Sequence, residues 1–122
     1  MTEADVSAKL RVALCEFGAV AWKVSDRFHA SRPDLVICHQ GRFIAIETKM
    51  APNSPTAAQT FTLTELVGAG AQVYVATYDK RDKTLAILSM YSGSLTSFKT
   101  IKEAAQWLLK QSSLLTKREA LS

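Results

Sequence analysis

Asp34, Glu47 and Lys49 are the residues whose types and spacing could do chemistry together. Asp34 follows Pro33 and opens a short β-rich run over residues 35–38; Glu47-Thr48-Lys49 closes a second run over residues 43–48. The turn-like His39-Gln40-Gly41 joins the two. Side chains alternate across a strand, so Glu47 and Lys49 point to one face. A hairpin about Gln40-Gly41 sets Asp34 roughly opposite the end of the second run. Two carboxylates and an amine then meet at one edge of an apolar sheet, which is costly unless something compensates the charge. A divalent cation would do so. Oxygen ligands suit magnesium or manganese, and the amine is free to serve a bound water or a phosphate.

Singly, these signals are weak. Glu-x-Lys is common on exposed strands, Pro-Asp marks many turns, and a surface hairpin with an incidental Glu47–Lys49 pair gains little energy. The ordered set is more specific. It comprises Ser31-Arg32-Pro33-Asp34-Leu35, Gly41-Arg42-Phe43, Ile46-Glu47-Thr48-Lys49, Gln59, Leu66, Gly70-Ala71 and Val73. This pattern resembles the PD-(D/E)XK nuclease superfamily and, within it, the VRR-NUC group. The resemblance spans about residues 3 to 78. Ser31 departs from it, standing where the group usually has glycine at the entrance to the site.

The resemblance implies a restriction-endonuclease-like α/β core: a mixed central sheet of about four or five strands flanked by helices. It implies Mg2+-dependent hydrolysis of DNA phosphodiesters, with Mn2+ as a substitute. Asp34 and Glu47 would hold the metal, with the main-chain carbonyl of Thr48 as a further ligand. Lys49 would orient or help deprotonate the attacking water. Gln59 would face the active centre as a supporting residue. In the family a glutamate early in the first helix reaches the metal, and Glu3 lies in the matching place. Its other reading is a first-turn acid complementing the helix dipole. Small relatives of this kind resolve four-way DNA junctions as dimers, which implies a homodimer here.

The elements that must position these residues can be read in order. Thr2 caps a helix to about Phe17, with Val6, Leu10, Ala13, Leu14 and Phe17 at helical spacing and Gly18 at its stop. Residues 19–24 read as a strand with Trp22 packed at a sheet face. The polar loop that follows offers Arg27, His29 and Arg32 to phosphates, contacts that position DNA without reading its sequence. After Lys49, Pro52 and Pro55 enforce a loop. Thr56 or Ser54 then caps a helix to about Gly68. Strands follow over residues 72–78 and 84–90, around a charged turn at residues 79–83. Thr100-x-x-Glu103 has the spacing of a capping box for a last helix to about Gln111 that carries Trp107. A dimer contact would fall on the strand at residues 84–90 or on the Trp107 helix.

At 122 residues the chain reads as one nuclease domain over residues 1–112 with a polar tail at 113–122. A composition 48% apolar and 21% charged is that of a globular domain. The net charge of +4 favours a polyanionic partner. Cys15 and Cys38 have no CxxC or histidine cluster and read as small buried hydrophobes rather than zinc ligands. There is no Gly-rich phosphate loop, hence no expected nucleotide cofactor. No signal peptide or membrane-length apolar run is visible, and a cytoplasmic setting is expected. Two rival readings remain: a non-catalytic DNA-binding or assembly protein on the same fold, and a nuclease subunit targeted by a partner. Clustered acids argue against a pure binder, because they repel phosphate.

Overall fold

Local chemistry starts and stops the elements much as the sequence requires. In the computed structural model, which describes residues 1–24 and 31–111, Thr2 is the N-cap of α1 (Glu3–Glu16). Its hydroxyl accepts from Asp5 N at 3.2 Å while Asp5 Oδ2 accepts from Thr2 N at 2.8 Å, a reciprocal cap. Val6, Leu10, Ala13 and Leu14 turn inward at helical spacing. β1 (Val20–Lys23), β2 (Leu35–His39) and β3 (Arg42–Met50) follow as an antiparallel run. Gln40 and Gly41 form the two-residue loop between β2 and β3, both left-handed, with φ of 50° and 76°. That loop geometry matches the twist of a hairpin and fixes its register.

α2 (Ala57–Gly68) carries the chain from β3 to β4 (Gln72–Asp79), which lies parallel to β3 as such a crossover allows. β5 (Thr84–Ser89) and β6 (Leu95–Phe98) add antiparallel strands, and α3 (Ile101–Lys110) closes the described chain. The result is a six-stranded mixed sheet in the order β1-β2-β3-β4-β5-β6. One strand more is present than the four or five expected. β6 is that strand. Its sequence, LTSF, alternates exposed with half-buried positions and carries no strong apolar stripe.

Alternation along the strands divides the sheet into two faces. Leu35, Ile37, Ile44, Ile46, Tyr74, Ala76, Leu85 and Ile87 face α1 and α3 in the main core. Ala45, Val73 and Val75 face Leu63, Leu66 and Val67 of α2. Beside that smaller cluster, Val20, Trp22, Cys38 and Phe43 remain exposed on β1–β3. Trp22 is therefore not packed against the sheet; it is 69% exposed. Both cysteines are exposed rather than buried. β5 lies inside the sheet and Trp107 packs on Tyr74 and Phe98, at ring-centroid distances of 6.0 and 5.6 Å. No helix among the described residues is long and apolar enough to cross a membrane.

Candidate active site

The hairpin register brings the acids together. Leu35 pairs with Ile46, so the next position along sets Asp34 beside Glu47. Val24 N donates to the Asp34 carbonyl at 2.8 Å, extending the β1–β2 pairing to the site. The Asp34 side chain is held as well: its Oδ2 accepts from Thr48 N at 2.9 Å. Pro33, buried just before it, fixes the backbone on the other side. Ser31 Oγ lies 3.2 Å from Thr62 Oγ1 on α2, tying the entry segment to the helix. The serine that departs from the family glycine thus has a partner of its own.

Glu47 is 1% exposed, and neither of its carboxylate oxygens has a hydrogen-bond partner. Lys49, on the same face two residues on, brings Nζ to 3.5 Å from Glu47 Oε2. Burial pushes the Glu47 carboxyl up to about 7; the neighbouring Asp34 charge pushes the same way, and Lys49 opposes both. A buried carboxylate with open oxygens, a second carboxylate beside it and one lysine amine form a group suited to a hard cation. The donor set fits magnesium or manganese, since it supplies only oxygens. Asp34 and Glu47, with the Thr48 carbonyl, are the groups that would hold it.

Other expected residues fall elsewhere. Glu3 occupies the first turn of α1 and does not join the acid pair; among the described residues no group of three His, Cys, Asp or Glu side chains is placed to hold a metal. Gln59 lies at the start of α2, where its Oε1 accepts from Thr56 N at 2.9 Å and its N–H donates to Thr56 Oγ1 at 3.2 Å. In the structure it caps α2. Arg32 is exposed immediately before Pro33-Asp34. Arg27 and His29 lie outside the described residues, as does the tail at 113–122.

Arg42 was visible only as part of a motif, and its structural work was not. It is 8% exposed and donates to the carbonyls of Leu109 and Gln111 at the end of α3, with Nη2 3.0 Å from His39 Nδ1. A cation at a helix C-terminus satisfies orphan carbonyls and complements the dipole. It ties the Arg42 end of β3 to α3 and leaves the other end of that strand to Glu47 and Lys49.

A mixed sheet with helices on both faces, Pro-Asp leading into one strand and Glu-x-Lys on its neighbour, is a fold shared with two solved structures. The chain is similar to Hjc, a Holliday junction resolvase from the archaeal hyperthermophile Archaeoglobus fulgidus, with a TM-score of 0.59 and 22% identity over 84% of this chain and 98% of that one. It is also similar to a VRR-NUC domain, with a TM-score of 0.55 and 21% identity over 65% of this chain and 86% of that one. Neither a protein-family model nor a curated protein matches the chain.

Proposed function

We propose that the protein is a metal-dependent DNA endonuclease that cuts branched DNA, four-way junctions above all. The observation that carries this reading is Glu47: a carboxylate buried to 1% exposure, its oxygens without hydrogen-bond partners, set beside Asp34 and Lys49. A polar group so placed is too costly to be structural decoration. The chemistry that a bound Mg2+ or Mn2+ supplies there is polarisation of a phosphoryl oxygen and a lowered pKa for its water. Asp34 and Glu47 would hold that ion, with the main-chain carbonyl of Thr48 as a further ligand. The Thr48 N–H keeps Asp34 from rotating away. Lys49 Nζ, paired with Glu47, positions the attacking water or steadies the developing charge on the phosphate.

The branched substrate is the finer part of the reading. It draws on the resolvase activity named for the Archaeoglobus structure and on the chain's net charge of +4. The described residues include no separate base-reading module, so shape and backbone contacts carry the selectivity, with Arg27, His29 and Arg32 assigned to phosphates. Symmetric resolution of a junction needs two incisions, hence two copies of this one-site chain. The test is incubation of purified protein with linear, nicked and four-way DNA, in Mg2+, in Mn2+ and in chelator. Preferred cutting of the four-way substrate in metal alone is expected. Equal binding of all three without cutting would replace the enzyme with a non-catalytic DNA-binding protein.

A further inference from the structure

The sheet face opposite Glu47 and Lys49 borders a groove that the catalytic reading leaves unused. Glu47 pairs with Val75, which faces α2, whereas Met50 pairs with Tyr78, which packs toward the core under α1 and α3. Beside Tyr78, α1 and the start of α3 wall a groove of about 560 Å3. A volume of that size lies within the roughly 300–1,000 Å3 of clefts that hold ligands. Val12, Ala13, Tyr78 and Ile101 give it an apolar floor, and Val12 is 46% exposed there. Helical spacing builds the α1 wall: Lys9, Val12 and Glu16 follow one another three and four residues apart along one side of the helix.

The rim is basic. Lys9, Lys83, Lys99 and Lys102 border the groove, with Glu16 as its one acid. All four lysines are exposed, and among the described residues none is held in an ion pair. The first turn of α3 adds the positive end of a helix to the same rim.

We propose that this groove docks an acidic amphipathic helix of a partner protein. Its apolar side chains lie on Val12, Tyr78 and Ile101, and its glutamates or aspartates meet the lysines. Charge complementarity chooses the sign of the ligand. The floor chooses its kind. A phosphate backbone would answer the lysines, but it has nothing to place on an apolar floor, and binding to it is carried by cations alone. A helix supplies both chemistries at once, with apolar anchors three and four residues apart and acids flanking them. The chain's own last residues do not fit, since Lys117 and Arg118 outnumber Glu119 there. The groove and the acid pair lie on opposite sheet faces, so the partner docks while Asp34 and Glu47 stay open to DNA.

Fluorescence anisotropy of a labelled synthetic helix, leucine on one face and glutamate on the other, tests this in chelator. The proteins are the wild type, Val12→Glu, the double variant Lys9→Glu with Lys102→Glu, and Tyr91→Glu. Tyr91 is 50% exposed outside the groove and serves as the control. The wild type and Tyr91→Glu should bind the peptide, and more weakly as salt rises. Both groove variants should bind at least tenfold more weakly, with native circular dichroism, since every substituted side chain is exposed. A second peptide with the same leucine face and lysine in place of glutamate should also lose at least tenfold. No binding by the wild type, equal binding of the two peptides, or unchanged binding in both groove variants overturns the proposal. Displacement of the peptide by four-way DNA also overturns it, and gives the groove to nucleic acid.

Discussion

Glu47→Gln should make the metal-free protein more stable at neutral pH while destroying its use for metal. The physics lies in the buried carboxyl, raised to about 7 from an ordinary 4.5 by burial and by Asp34. A raised acid binds its proton more tightly in the folded state than in the unfolded one. Its cost is absent below about pH 4.5, grows as pH rises, and is complete above about pH 7. At roughly 1.4 kcal/mol per pKa unit, the full cost is about 3 kcal/mol, most of it appearing between pH 5 and pH 8. Glutamine removes the charge but leaves an unpartnered amide that fits the site less well than the protonated carboxyl, which returns on the order of 1–2 kcal/mol. The net gain above pH 7 is therefore about 1–2 kcal/mol, a few degrees in Tm for a chain of this size. Urea unfolding of both proteins in chelator at pH 5 and pH 8 reads the difference directly. The wild type should lose stability relative to Glu47→Gln over that span, and adding Mg2+ at pH 8 should rescue only the wild type. A constant difference between the two proteins, or equal rescue by Mg2+, would refute the reasoning.

Three further outcomes follow from the same geometry. Lys49→Ala should lose at least a hundredfold in cleavage rate yet keep metal binding by calorimetry, because its amine serves the water or phosphate. Gln59→Ala should lower stability by about 0.5–1 kcal/mol in denaturant, the worth of half a capping box, with only a mild change in cleavage. Arg42→Met should cost about 1–3 kcal/mol in the same assay by stranding the carbonyls of Leu109 and Gln111, with no change in metal affinity.

The hairpin was the most legible part of the chain, and for a physical reason. Gln40-Gly41 accepts the two left-handed conformations that a tight turn needs, and the apolar alternation on either side admits one register. That register alone puts Asp34 beside Glu47. Thr2 was legible as a cap and Thr56 only as one of two candidates with Ser54; the reciprocal bonds from Asp5 and Gln59, three residues on, emerge from the structure. What the sequence hid was tertiary. Trp22 and Cys38 read as core by residue type; their exposure depends on how far α2 reaches across the sheet, which no local pattern encodes. β6 lacked apolar alternation because much of it faces solvent. The family pattern carried Gln59 and Glu3 toward the metal, whereas the folded chain gives Gln59 a cap and leaves Glu3 in its own first turn. Arg42 could not be placed from the sequence, since its partners lie 67 and 69 residues away.

Cleavage of end-labelled four-way DNA in Mg2+ by the wild type, Asp34→Ala and Glu47→Gln tests the active centre most directly. Paired cuts by the wild type, lost in chelator and lost in both variants while their circular dichroism stays native, are the expected result. Cutting by either variant at the wild-type rate, or undiminished cutting in chelator, would contradict the account.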